Sequence, residues 1–198
     1  MKVVYIGGSR RINGNTATIL REFDHLFSDA KIPGYNGKFY NVAEMKIRPC
    51  SSCFKCIKKD TCIIKDDYEK LARKMIKSDL IIIGSPVYFS DVSAQIKALI
   101  DRTYSLWHKK ALKGKKVILV ANSAESGTGH TIDTMRHWAW DHEMDIIATV
   151  EGICEKKGRV LENKMTLKAI HDAVRDVNSI IPAVKQSAKK KPNEESNS

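Results

Sequence analysis

The sequence has no long apolar run. Its longest runs, Leu80–Ile83 and Val117–Ala121, are far shorter than the ~20 residues that a membrane-spanning helix needs. The first residues also lack an apolar segment followed by a small-residue cleavage site, so nothing marks the chain for secretion. We therefore expect a cytoplasmic protein that has no membrane partner.

Acidic and aromatic residues are both scarce. There are 23 Asp and Glu against 34 Lys and Arg, which gives a net charge of +11, and aromatic residues make up 7% of the chain. The lysines are scattered, whereas proteins that bind nucleic acid gather their basic residues on one face. We therefore expect no nucleic-acid partner, and the positive charge favours an acidic protein partner instead.

Several catalytic motifs and all internal repeats are missing. Neither G-x-S-x-G nor a Ser-His-Asp order is found, which disfavours a hydrolase. The chain also lacks the G-K-[ST] of a Walker loop and the G-x-G-x-x-G of dinucleotide-binding folds. Its 198 residues fit one domain. Residues 185–198 are polar and lack apolar periodicity, which predicts a disordered tail.

What the chain does contain is a regular alternation of short apolar strands and amphipathic helices. Strands are predicted at residues 2–8, 37–43, 80–85, 115–122 and 144–152. Helices are predicted at residues 15–27, 66–79, 91–107 (with Asp91 as the cap), 129–143 and 167–181. This order predicts an α/β fold with a doubly wound, five-stranded parallel sheet and helices on both faces.

Three loops follow the carboxyl ends of strands, where such folds bind ligands. The first, residues 7–16, leads into a helix N-terminus and offers a phosphate site, with side chains from Ser9, Arg11, Asn13, Asn15 and Thr16. The second, residues 84–91, carries aromatic rings, and the third, residues 122–130, is rich in small residues. Together they predict a phosphorylated aromatic cofactor, and FMN fits best.

Four cysteines stand close together as C-x2-C-x2-C-x5-C, at Cys50, Cys53, Cys56 and Cys62. Disulfides are disfavoured in a reducing cytoplasm. Zinc usually takes two separated pairs of ligands, whereas repeated x2 spacing is typical of iron–sulfur runs. The spacing therefore favours one iron–sulfur cluster, with zinc and metal-free reactive thiols as alternatives. The fifth cysteine, Cys154, is predicted to be a small buried apolar residue.

Basic residues surround these cysteines. Two acidic residues near the cysteines, Glu44 and Asp60, are outnumbered by six basic residues: Lys46, Arg48, Lys55, Lys58, Lys59 and Lys65. Positive neighbours stabilise thiolates and offset the charge of an anionic cluster. They also favour the approach of an acidic electron carrier.

Two stretches carry a family resemblance. "GSRRINGNT" and "SPVYFSDVSAQIKALIDR" resemble the NAD(P)H-dependent FMN reductase group of flavodoxin-like proteins. With the compact cysteine segment followed by "IIKDD", the chain is most similar to the iron–sulfur flavoproteins of that group. The resemblance extends from Met1 to about Ile181.

The resemblance implies a flavodoxin-like FMN-binding domain at residues 1–184, with a cysteine-rich insertion at about residues 44–65. The FMN phosphate would lie on the loop with Ser9, Arg11, Asn13, Asn15 and Thr16. The flavin ring would lie between Pro86, Val87, Tyr88 and Phe89 on one loop and Ser123, Glu125, Ser126 and Gly127 on another. One [4Fe–4S] cluster would be held by Cys50, Cys53, Cys56 and Cys62.

The same resemblance implies an oxidoreductase that takes electrons from ferredoxin or NAD(P)H and passes them to a small oxidant. It also implies a homodimer or homotetramer, and no side chain is assigned as a catalytic acid or base. Two alternatives stay open: an NAD(P)H-dependent FMN or quinone reductase without a cluster, and a cysteine-based redox sensor.

Overall fold

Five parallel strands form the centre of the protein, as seen in a computed structural model that describes residues 1–188. They are β1 (Lys2–Gly7), β2 (Asn36–Asn41), β3 (Leu80–Tyr88), β5 (Lys116–Ser123) and β6 (Asp145–Ile153). A two-residue strand, β4 (Asp91–Val92), pairs antiparallel with the end of β3. The strand order is β2-β1-β3-β5-β6, which is the order of flavodoxin-like folds. The predicted fold class is therefore confirmed.

Helices cover both faces of this sheet. One face packs on α1 (Asn15–Asp29) and α7 (Lys164–Ala188). The other packs on α3 (Tyr68–Lys77), α4 (Ala94–Arg102) and α6 (Thr128–Asp141). Two short helices, α2 (Lys55–Lys59) and α5 (Tyr104–Trp107), and a 3-10 turn at Val160–Glu162 complete the described part.

The central strands β1, β3 and β5 are apolar because each one contributes to two cores. In β1, Val3 and Tyr5 pack with α1 and α7, whereas Val4 and Ile6 belong to the opposite core. Successive side chains of a strand point to opposite faces, so a strand that is covered on both sides needs apolar residues at every position.

The predicted helix at residues 91–107 proved to be two helices. Asp91 lies in β4 instead of capping a helix, and the cap of α4 is Ser93, whose hydroxyl accepts a hydrogen bond from the Ile96 N–H at 3.4 Å. The helix is interrupted at Thr103. There the Thr103 hydroxyl donates to the Ile100 carbonyl at 2.6 Å and accepts from Trp138 Nε1 at 2.9 Å. The interruption therefore lies where α6 contacts the end of α4.

The last helix is longer than predicted, since α7 begins at Lys164 and continues to Ala188. It thus includes the start of the segment predicted as a disordered tail, and the remainder of that segment, residues 189–198, lies outside the described residues. None of the helices within residues 1–188 is long and apolar enough to cross a membrane.

Thr103 also fixes the state of a buried histidine. His142, at the end of α6, is 4% exposed, and its Nε2 lies 2.9 Å from Thr103 Oγ1. Because the Thr103 hydroxyl hydrogen points to Ile100, Nε2 must carry the proton and donate it. Burial lowers the pKa of His142 to about 4 from its usual ~6.5. The folded protein therefore keeps this side chain neutral at physiological pH.

A pH dependence of stability follows for His142. Below pH ~6.5 the unfolded chain protonates this histidine, while the folded chain resists protonation until about pH 4. Stability is therefore lost as pH falls through this window. Between pH 7 and 4.5 we expect wild-type protein to lose ~2–3 kcal/mol more unfolding free energy than His142→Gln does, measured by urea denaturation.

The control is His25→Gln, which removes an exposed histidine and should follow the wild-type pH dependence. If His142→Gln also loses stability as wild type does, His142 is not held neutral by burial.

Candidate functional site

A cavity of about 230 Å³ opens at the carboxyl end of the sheet. It lies over the ends of β1 and β3, where the strand order reverses and flavodoxin-like folds bind their ligand. Eight of the predicted FMN-contacting residues line it: Ser9, Arg11, Asn15, Thr16, Pro86, Val87, Tyr88 and Ser123. The tertiary structure thus gathers loops that are far apart in the sequence.

The loop after β1 ends in an open helix N-terminus. Gly14 is the N-cap of α1, no side chain caps the helix, and its first turn carries no acidic residue. The N–H groups of that turn and the positive end of the helix dipole therefore point to an anion site. Arg11 lines the same cavity and adds a positive charge.

This loop is held close to α4. The Ser93 hydroxyl donates to the Gly8 carbonyl at 3.0 Å, and the Gly8 N–H donates to the Gly84 carbonyl at 2.8 Å. A Cβ atom at Gly8 would come within 2.3 Å of Ile96 Cγ1. Only glycine allows this approach, which fixes the loop against both β3 and α4.

Three buried oxygens at this cavity have no hydrogen-bond partner among the described residues. They are Asn15 Oδ1, Asn122 Oδ1 and Ser123 Oγ, each on a residue that lines the cavity. Buried polar atoms nearly always have partners. The hydroxyl groups and ring N–H of FMN would supply donors here, and its phosphate suits the α1 terminus. The residues present therefore fit this cofactor.

The aromatic loop is a tight hairpin between β3 and β4. Its two central residues, Phe89 and Ser90, have φ angles of 47° and 63°, as in the two-residue hairpin turns that follow the twist of the strands. Tyr88 lines the cavity, whereas Phe89 at the tip is fully exposed.

Five predicted residues lie outside the cavity lining: Asn13, Phe89, Glu125, Ser126 and Gly127. Asn13 instead accepts a hydrogen bond from Arg21 Nη1 at 3.1 Å. Gly127, with a φ of 86°, begins α6 and packs against the hairpin, where an added Cβ would lie 2.9 Å from Val87 Cγ1. Flavin contact remains a prediction for all thirteen residues.

The sequence reasoning missed the loop after β6, from which Cys154, Glu155 and Lys157 line the cavity. Cys154 is half-buried here, so its prediction as a buried apolar residue is wrong. Its carbonyl accepts a hydrogen bond from Asn15 Nδ2 at 2.8 Å, which ties this loop to the phosphate loop. Its position in the sequence could have identified this loop as a ligand-binding loop, because it also follows the carboxyl end of a parallel strand. Gly14, Asn122 and Ala124 complete the residues missed.

All four clustered cysteines line a second, larger cavity of about 760 Å³. It lies between the cysteine segment and helices α4, α5 and α6. Its other walls combine polar and charged side chains with three aromatic ones, Tyr104, Trp107 and Trp138. Thiolates are the ligands that soft metal centres such as iron–sulfur clusters prefer, so the donor type fits a cluster.

The four thiols are close enough to affect the pKa of Cys56, but they are not arranged as a metal site. Burial raises the pKa of Cys56, and the charges of Cys62, Cys53 and Cys50 raise it further. A hydrogen bond from the backbone of Lys55 lowers the pKa of Cys53. Within residues 1–188, no three Cys, His, Asp or Glu side chains are arranged closely enough to hold a metal ion. The segment therefore needs a local adjustment to bind one.

Arg102, which lines this second cavity, belongs to a buried ion pair. Arg102, at the end of α4, is 1% exposed and pairs with both carboxylate oxygens of Asp66, at 2.7 and 3.0 Å. Burial alone would raise the pKa of Asp66, but the hydrogen bonds from Arg102 and from the backbone of Arg48 and Tyr68 hold it below its usual value. Both groups therefore stay charged inside the protein.

Residues 1–157 match the family described as NADPH-dependent FMN reductase. The chain belongs to this family. It is 35% identical over 149 residues to an iron–sulfur flavoprotein of Methanocaldococcus jannaschii, covering 74% of this chain and 76% of that relative. It is 33% identical over 150 residues to an iron–sulfur flavoprotein of Methanosarcina thermophila, covering 74% and 77%. These relatives confirm the resemblance found in the sequence.

Solved structures show the same fold at low identity. RosB with bound 8-demethyl-8-formylriboflavin-5'-phosphate has a TM-score of 0.71 at 12% identity, covering 100% of this chain and 90% of RosB. A flavodoxin from an archaeon has a TM-score of 0.60 at 11% identity, covering 90% and 98%. Family membership and fold together make the protein an FMN-dependent oxidoreductase of the flavodoxin-like class.

The first cavity generates a prediction for flavin binding. Thr16→Val keeps the shape of a side chain that is 2% exposed and removes a hydroxyl from a residue that lines the cavity. We expect FMN affinity to fall about fivefold to tenfold, the equivalent of ~1 kcal/mol for one hydrogen bond, as measured by the quenching of FMN fluorescence. Ser28→Ala, at the exposed far end of the same helix and outside the lining, should bind FMN as wild type does. Equal affinity of Thr16→Val and wild type would remove Thr16 from the flavin site.

Proposed function

We propose that the protein is an electron-transfer flavoprotein that uses FMN and one [4Fe–4S] cluster. It takes electrons from ferredoxin or NAD(P)H and passes them to a small oxidant in the cytoplasm. The observation that carries this proposal is the placement of Cys50, Cys53, Cys56 and Cys62 around one cavity, in a chain whose sheet edge fits FMN. The iron–sulfur flavoproteins among its relatives support the same assignment.

The two redox groups would supply one-electron and two-electron chemistry, and the protein supplies binding and orientation. The N-terminus of α1 and Arg11 would hold the FMN phosphate. The side-chain oxygens of Asn15, Asn122 and Ser123 would accept hydrogen bonds from the other donors of FMN. The four thiolates would hold the cluster, and Arg102 lines the same cavity as Cys62. No amino-acid side chain is required as a general acid or base.

The surface around the cysteines suits an acidic electron carrier such as ferredoxin. Lys55, Lys58, Lys59 and Lys65 are exposed there. Asp60 is one of the few nearby acids, and Lys109 pairs with it at 2.7 Å, so the surface stays positive. Attraction between opposite charges would orient the carrier and speed its association, less so at high salt.

We also propose self-association as a homodimer or homotetramer. Several large apolar side chains are exposed near the mouth of the cysteine cavity and at the flavin hairpin: Phe54, Ile57, Phe89, Trp107 and Trp140. Exposed apolar groups of this size often mark interaction surfaces.

One observation favours a second candidate, a plain NAD(P)H-dependent FMN or quinone reductase without a cluster. The four thiols line one cavity but do not form a ready metal site. In that case NAD(P)H alone would bleach the bound flavin, and the cysteines would have another role.

Composition of the purified protein separates these candidates. Iron, acid-labile sulfide, zinc and FMN are measured per chain on protein purified without oxygen. We expect about four iron and four sulfide, as a [4Fe–4S] cluster requires, with one FMN and no zinc. FMN without iron and sulfide would reject the cluster and leave the plain reductase.

Cysteine variants test the ligand assignment. Cys56→Ala removes one of four ligands, so we expect iron and sulfide to be lost while FMN remains, since the flavin cavity contains none of the four clustered cysteines. Cys154→Ala is the matched control and should keep wild-type iron. Full iron in Cys56→Ala would show that Cys56 is not a ligand.

A further inference from the structure

The guanidinium of Arg102 joins the two ends of the cysteine segment. Nη1 donates to the Arg48 carbonyl at 2.8 Å, and Nη2 donates to the Ile64 carbonyl at 3.2 Å. These carbonyls lie just before Cys50 and just after Cys62 in the sequence. The other N–H of each nitrogen goes to Asp66, at 2.7 and 3.0 Å. A single side chain thus closes the segment at its base.

This arrangement uses four of the five N–H groups that a guanidinium has. The fifth, on Nε, is buried and has no hydrogen-bond partner among the described residues. An unpaired donor on a buried cation is unfavourable, so the position of this one needs an explanation.

Cys62 is the candidate partner for this Nε–H from the cysteine segment. Arg102 and Cys62 both line the larger cavity. Two cysteines, Cys50 and Cys62, lie two residues from a carbonyl that Arg102 binds. Cys50 is exposed, whereas Cys62 is half-buried and packs against the core that includes α4. The unpaired donor and this thiol therefore share one cavity, although the thiols within residues 1–188 are not arranged as a metal site.

We propose that Arg102 is a positioning residue whose Nε–H donates to the sulfur of Cys62 when that sulfur is a thiolate, as it is when it binds a metal. In this role it fixes both ends of the cysteine segment and raises the reduction potential of the cluster. Hydrogen bonds to cluster sulfurs and nearby positive charge both raise such potentials, because they stabilise the more negative, reduced form. The inference rests on the proposed function.

Arg48 offers a matched control. It contacts the same carboxylate, with Nε 3.8 Å from Asp66 Oδ2, but its side chain is 66% exposed and is absent from the cavity lining. Arg48→Lys therefore replaces a guanidinium that contacts Asp66 without altering the Nε–H of Arg102.

The test uses the full-length protein purified without oxygen, as wild type, Arg102→Lys and Arg48→Lys. Lysine keeps the charge but lacks Nε–H and the planar fork. For Arg102→Lys we expect wild-type FMN content and about tenfold faster loss of iron to a chelator. We also expect the equilibrium constant for reduction of the cluster to fall about tenfold, which corresponds to the loss of one charge-assisted hydrogen bond. Arg48→Lys should match wild type. Wild-type potential and iron loss in Arg102→Lys would overturn the proposal.

If Arg102→Lys does not fold, Arg102→Leu with Asp66→Asn removes both buried charges together. A lowered potential in this variant supports the proposal, and an unchanged one rejects it.

A wild-type protein without iron would reject the proposed function instead. The contact is then tested in protein whose only cysteine is Cys62, by its rate of reaction with a maleimide. A rate that changes in Arg102→Lys but not in Arg48→Lys supports the contact, and equal rates reject it.

Discussion

The cysteine segment depends on the buried ion pair between Arg102 and Asp66. Residues 48–61 are exposed or half-exposed and include only one short helix, α2, so they have little core of their own. Breaking a buried ion pair from one side costs ~3–5 kcal/mol, because the remaining charge has no partner. The conformation of the segment is therefore set mainly from outside it, by the side chain at the end of α4.

Helix α4 links both cavities. Ser93 at its N-terminus binds the Gly8 carbonyl of the phosphate loop, and Arg102 at its C-terminus binds the cysteine segment. The helix has nine residues, which corresponds to a length of ~14 Å. Its apolar face, with Ile96 and Leu99 fully buried, fixes it on the sheet. Packing of one helix thus sets the spacing of the two sites within a chain.

Local pattern predicted the elements well and their ends less well. The central strands β1, β3 and β5 were found because each is apolar on both faces, and the cysteine spacing needs no structure to be noticed. The helix at residues 91–107 was misread because Asp91 is as good a cap as Ser93 by residue type. The choice between them came from the pairing of Asp91 and Val92 with the end of β3, a contact that helical periodicity does not report.

The sequence by itself determined the fold class, the FMN reductase resemblance and the grouping of four cysteines, since these rest on residue type and spacing along the chain. Only the tertiary structure decided which loop residues share a cavity. It brought Cys154 and Lys157 to the cavity at the carboxyl end of the sheet and left Asn13 and Phe89 outside the lining of that cavity. It also paired Arg102 with Asp66, which are 36 residues apart. The reason is that cavities and buried ion pairs form between elements, where sequence distance carries no information about spatial distance.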